Sequence, residues 1–306
     1  MGNNESSIEL DTNSDIYGGD KNTYYLDRYN LIPSYQNNTY EIVDSNFFNA
    51  KSLKAVPDYI DLRKTFPSII DVRTLPFNSI ACVSYLLEYS LLKNELNVFP
   101  PSLMFIYKHC KFFKGSDNLI SFETIFRSIR SKGFCIETEL RTISSNLSIN
   151  NISNDLYKKA IPYKFIKVYK VLNNLKVIKS VLSNEYPILV GFGIYSKLTR
   201  INDELLMPDN STQSNLGGMG GVLVGYMEDR EMFIMAQTYG TNFGQNGYIL
   251  VPYQYILNKN ITFEMYILDI EKKRVDGYLN QNKPVISLSE IEDNQSEGGF
   301  LSNLFS

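Results

Sequence analysis

The sequence predicts an α+β protein whose helical first half faces a strand-rich, antiparallel second half across a cleft. Apolar residues after Ser79 recur at helical spacing. Five apolar runs between residues 186 and 267 read as strands, and Gly and Asn clusters separate them where antiparallel turns are needed. Clefts between such halves are where ligands usually bind.

The first helix places Cys82, Tyr85, Leu86, Tyr89 and Leu92 on one face, and Asn78 stands where its side chain could cap the first turn. Pro100-Pro101-Ser102 opens a second helix through Met104, Phe105, Tyr107 and His109, and Phe122 to Ser131 forms a third, closed by Gly133. The strands expected in the second half are Tyr186 to Tyr195, Gly221 to Tyr226, Met232 to Ala236, Gly247 to Val251 and Thr262 to Ile267. Residues 1–50 read as a flexible polar arm with Asn30-Leu31-Ile32-Pro33 as its one anchor. Residues 56–271 form the folded domain, helical to about residue 160 and strand-rich from about 161. Residues 272–306 read as a mobile acidic tail ending in an apolar tip.

With 306 residues, 43% hydrophobic and 21% charged, the chain can bury a substantial core. A net charge of −3 gives no reason to expect a nucleic-acid partner, because phosphate binding depends on clustered Lys and Arg. The lysines between Lys167 and Lys179 alternate with Val, Tyr and Leu and read as a solvated face. Three cysteines, Cys82, Cys110 and Cys135, fit neither a disulfide framework nor a zinc site, so a reducing compartment and no metal or cofactor are expected. No apolar run spans a bilayer and the polar start is no signal peptide, which predicts a cytoplasmic or virion location without secretion. Heavy use of Asn, Ile, Tyr and Lys matches an AT-rich genome.

Tyr59-Ile60-Asp61-Leu62-Arg63, followed by Phe66 to Asp71, resembles the start of the mature domain of papain-family (C1-type) cysteine peptidases, where Val-Asp-Leu-Arg precedes Asp-Gln-Gly-X-X-Gly-Ser-Cys. Counting on from Asp71 without a gap, the resemblance puts Val72 at the oxyanion-hole Gln and Asn78 at the nucleophilic Cys. Glu185 to Phe192 looks like the family's Gly-Tyr-Pro-Val-X-X-Gly-Phe strand. Gly217-Gly218-Met219-Gly220-Gly221 resembles Gly-Gly-His-Ala-Val, which puts Met219 at the general-base His. Phe233 to Tyr248 is similar to the Asn-Ser-Trp-Gly segment and puts Gln237 at the orienting Asn. Asn30 to Pro33 also resembles an element preceding the mature domain in some bacterial and large-DNA-virus members.

The resemblance therefore implies a papain-like fold, with a helical left half and a β-barrel-like right half, whose four catalytic positions are all replaced. Cleavage by such machinery needs a thiolate, an imidazole and amide donors aimed at the oxyanion. Met219 carries no proton, Val72 donates nothing, and the single histidine of the chain, His109, sits on the second helix. Losing nucleophile and base costs on the order of a millionfold in turnover. Cys82, one turn beyond the helix start, reads as a core thiol, and His109 and Cys110 are sequence neighbours that do not face each other. Leu119 stands where the family has a Gly along the substrate track, and with Gly217 and Gly218 it is expected to line and crowd the cleft. Gly2 with Ser6 fits the N-myristoylation pattern, and one acyl chain would give weak membrane association. The expected role is a catalytically silent pseudopeptidase serving as scaffold, virion component or protein-binding module for an unidentified protein partner. The alternatives are a peptidase using Cys82 or Cys110, and a decoy that binds peptides or proteases.

Overall fold

Alternation along the central strands decides the architecture. In the computed structural model, which describes residues 30–34, 40–44, 47, 56–72, 75–110, 119–148, 151–195, 204–205, 207 and 215–282, one sheet carries a core on each of its faces. The elements in chain order are β1 (Glu41–Val43), β2 (Tyr59–Asp61), α1 (Asn78–Lys93), α2 (Leu103–His109), α3 (Phe122–Lys132), α4 (Asn154–Ala160), β3 (Ile166–Val171), α5 (Leu175–Ser183), β4 (Ile188–Tyr195), β5 (Asn215–Met227), β6 (Met232–Ala236), β7 (Tyr248–Pro252), α6 (Tyr253–Leu257), β8 (Thr262–Ile270) and α7 (Lys272–Gln281).

The strand order is β1-β3-β8-β4-β5-β6-β7, with β2 pairing a further stretch of β5. Every pairing is antiparallel except β1 with β3. The path is open, whereas a barrel-like half was expected: it runs from β1 to β7 without returning. Leu189, Val222, Val224 and Ala236 point to one face, against the helices. Their neighbours Val190, Leu223 and Met235 point to the other, where Val177, Ile178, Val181 and Leu182 of α5 and Tyr255 and Ile256 of α6 cover them. Burial on both faces is why these strands read as continuous apolar runs.

Helix α1 departs from the one-faced pattern expected of it. Of its residues, all but Glu88, Leu92 and Lys93 are buried, because it lies between the sheet and α2 and α3. A helix apolar around its circumference is a buried helix. Near its end, Ser90 Oγ donates to Asp269 Oδ1 (2.9 Å) and accepts from Ile270 N–H (2.8 Å), tying α1 to the end of β8. The next two helices are capped: Ser102, which the sequence places at the opening of α2, accepts through Oγ from Phe105 N–H (3.1 Å), and Ser121 Oγ accepts from Thr124 N–H (3.3 Å).

Three stretches differ from the sequence reading. Asn78 does not cap α1: Phe77 holds that position, no side chain caps it, and Asn78 is the first helical residue. The run from 166 to 183 forms β3 and α5, elements not among those expected, although Lys167 and Lys170 do face solvent as expected while Ile166, Val168 and Val171 bury. The folded body also extends past both expected limits. Leu31 and Val43 of the arm are buried, and residues 272–281 form α7, with Val275 buried in the core.

Gly225 faces Asp61 of β2 so closely that a methyl group there would lie 2.1 Å from the Ile60 carbonyl oxygen, while nothing lies within 4 Å of the same position at Gly277 in α7. Gly225→Ala is expected to cost about 1–3 kcal/mol in a chemical denaturation curve, by overpacking. Gly277→Ala is expected to add up to about 1 kcal/mol through helix propensity.

Candidate active site

The start of α1 meets β5 at the junction of the helical half and the sheet. Asn78, only 2% exposed there, turns its side chain across the junction. Its Oδ1 accepts from Gly220 N–H (2.7 Å), and its Nδ2 donates to Gly220 O (3.2 Å) and to Thr238 Oγ1 (2.9 Å). β6 ends at Ala236 opposite Val222, so the Gly220 peptide groups lie beyond the β5–β6 ladder. The Asn78 amide continues that ladder as a surrogate peptide. Each bond contributes about 1 kcal/mol net, but stranding the buried Gly220 groups would cost more.

Met219 sits one residue earlier on β5 and therefore projects to the opposite face. It is buried in the second core, where its sulfur accepts from the Tyr239 hydroxyl (3.0 Å). Gln237 is fully buried, and its Nε2 donates to the Met235 sulfur (3.0 Å). Its Oε1 has no hydrogen-bond partner among the described residues. Val72 contributes a backbone N–H to Thr238 O (2.9 Å) and an apolar side chain to the first core. The four positions singled out by sequence thus gather around Thr238 and β5, with Asn78 and Met219 on opposite faces of the strand.

The remaining candidate groups are held elsewhere. Cys82 is wholly buried beside Asn78, with Nδ2 3.9 Å from its sulfur, and burial pushes its thiol far above the ordinary range. Burial also raises Cys110 and Cys135, each to about 12. His109 lies against Phe105 O through Nδ1 (2.7 Å) and the Tyr157 hydroxyl through Nε2 (2.8 Å). A carbonyl only accepts, so Nδ1 carries the proton and Nε2 accepts. Burial lowers the His109 pKa, and the ring is spent on holding α2 to α4.

Residues 30–34 run through the junction itself. Leu31 N–H donates to Gly218 O (3.0 Å), Ile120 N–H to Asn30 O (3.0 Å), and Ile32 N–H to Ile120 O (2.9 Å). Leu119 is half-buried, and its neighbour Ile120 makes the pairing, while Gly217 continues the β5 edge against β4. Ser34 N–H then donates to Glu264 Oε2 (3.1 Å), which also accepts from the Tyr266 hydroxyl (3.1 Å). Ser34 Oγ accepts from Glu123 N–H (3.3 Å), and the Glu123 carboxylate takes Tyr40 and Arg127. Sequence reasoning missed Ile120, Glu123, Thr238, Gly220 and Glu264. Only Glu264 left a signal, a lone charge within the apolar run Thr262 to Ile267. Gly2 lies outside the described residues.

The arrangement of helices and sheet matches known structures. Xylellain, a cysteine protease from Xylella fastidiosa, superposes with a TM-score of 0.70 at 19% identity, over 80% of this chain and 96% of that one. The fold is papain-like. Procathepsin B S9 from Trypanosoma congolense gives 0.62 at 17% identity over 82% and 90% of the two chains. Digestive procathepsin L 3 of the Tenebrio molitor larval midgut gives 0.61 at 15% over 80% and 77%. Among curated proteins, an uncharacterized peptidase C1-like protein of Acanthamoeba polyphaga mimivirus is 23% identical over 269 residues, spanning 82% of this chain and 86% of that protein. No family model matches the chain. Among the described residues, no helix is long and apolar enough to cross a membrane.

In this papain-like chain the junction bonds make quantitative demands. Asn78→Ala is expected to cost about 2–4 kcal/mol, because it strands two buried peptide groups. Asn78→Asp, which sets a carboxylate oxygen against the Gly220 carbonyl, is expected to be worse at neutral pH, and urea unfolding of the three proteins checks the order. Burial raises the Glu264 pKa despite its bonds from Ser34 and Tyr266. Its contribution is therefore most favourable below the unfolded value of about 4.3 and declines as pH rises through the folded value. Glu264→Gln should flatten that decline, so unfolding of variant and parent measured from pH 4 to 8 should diverge upward.

Proposed function

We propose that this chain is a non-catalytic papain-fold protein that acts through its surfaces, as a scaffold, virion component or protein-binding module. One observation carries the reading: where a nucleophilic thiol would be needed, the Asn78 amide is committed to Gly220 and Thr238. An amide so bound is neither nucleophile nor proton carrier. Met219, at the position of a general base, faces away from it into an apolar core. Gln237, at the orienting position, has no imidazole to hold. Val72, at the oxyanion position, offers only an apolar side chain.

The competing enzyme reading needs a reactive cysteine, and burial holds Cys82 and Cys110 in their thiol forms. The decoy reading needs an open cleft, and Leu31 with its neighbours lies in that space. A viral relative of similar length supports a cytoplasmic or virion location, and the partner proposed is another protein, not nucleic acid. Acylation at Gly2 would add weak membrane association.

A thiol-reactive peptidyl epoxide and a set of fluorogenic peptides test the reading directly. No labelling of the native protein and no turnover are expected, and all three thiols should react only after denaturation. Asn78→Cys alone should restore no hydrolysis, since residue 219 still supplies no imidazole. Stoichiometric labelling of one native cysteine, blocked by a peptide, would overturn the proposal.

A further inference from the structure

The cleft between the halves already holds an extended peptide, and that peptide belongs to the chain. We propose that Asn30–Ser34 is the resident ligand of this cleft, bound as a fold-completing strand throughout the life of the folded protein. It is not a cover that comes and goes.

The contacts on both sides are those of a strand inserted between two others. Gly218 of β5 accepts from Leu31, and Ile120, just before α3, both accepts from Ile32 and donates to Asn30, in a parallel bridge centred on Leu31. Residue 218 is built around the insertion, because a methyl group on Gly218 would lie 2.1 Å from the Leu31 carbonyl oxygen. The Leu31 side chain is 2% exposed and part of the first core, reaching over Gly191 of β4. Asn30 is 4% exposed, and its Nδ2 donates to Pro76 O (3.3 Å), two residues before the helix that carries Asn78.

Departure of the segment would uncover more than an apolar groove. Glu264, 6% exposed, would lose the Ser34 N–H, and its Oε1 already lacks a partner among the described residues. Ile120 would lose partners for both its backbone groups. The chain then continues to Tyr40, which packs edge-on against Phe126 and Tyr266, and to β1, which adds to β3 with Val43 fully buried. The segment is thus anchored on both halves and again downstream. A strand so anchored should open only when the whole domain opens.

Native-state hydrogen exchange on the full chain tests this. The amides of Leu31, Ile32 and Ile120 should be protected to within about tenfold of those at the centre of β4 and β5, the mark of global unfolding. Exchange at these three amides about a hundredfold or more faster than at the β4–β5 centre would overturn the proposal, because it marks local opening. As a second arm, a labelled synthetic peptide carrying Asn30–Ser34 is offered to the native protein in excess. No incorporation is expected, and saturable binding would show that the resident segment exchanges. Neither readout depends on catalysis, so failure here is distinguishable from turnover in the peptide assays.

Discussion

Helix α1 lies between a sheet and two other helices with almost no route to water, and that constraint governs the junction. Every polar group it carries must be paired inside the protein or left at a cost. Ser90 meets the demand at the C-terminal end by bonding to Asp269 and the Ile270 peptide. Asn78 meets it at the N-terminal end by pairing with the Gly220 peptide. Ser79 and Ser84 between them leave hydroxyls without a partner among the described residues, so the helix is not perfectly satisfied. The most demanding position, beside the open end of the β5–β6 ladder, received the side chain with both a donor and an acceptor.

This view turns the absence of a thiol at residue 78 into a question of fit. Alanine there would leave the strand edge bare, and aspartate could only accept where Gly220 O needs a donor. Asparagine matches a peptide group in both polarity and spacing. Its neighbours follow the same logic: Met219 and Met235 offer sulfur acceptors to the Tyr239 hydroxyl and the Gln237 amide. The result is a junction of buried amides, hydroxyls and thioethers that bond mainly to one another.

Much of this was legible in the sequence, for physical reasons that vary with the element. The strands from Ile188 onward were readable because burial on both faces makes them apolar without interruption. The start of α2 at Ser102 was readable because a cap is a contact three residues long. Asn78 was misread as a cap for the complementary reason: its true partners are at residues 220 and 238, which no local pattern reveals. β3 and α5 were hidden by lysines that occupy their solvent sides. The cleft segment at Asn30–Ser34 was noticed as an anchor, but nothing in the neighbourhood of its partner Ile120 marks it as such, and the lone charge of Glu264 names no partner.

The pins that fasten α1 also bear on how the chain can fold. The Asn78–Gly220 bonds join residues 142 apart and the Ser90–Ile270 bond residues 180 apart. Contacts of such separation require long loops to close before any energy is returned, which slows folding and leaves intermediates with unpaired edges. The helical half would present a bare α1 until β5 and β8 exist, and both are made late in synthesis. A nascent chain stalled before residue 215 therefore lacks what it needs to bury its central helix, so the two halves form one cooperative unit, not two modules that dock.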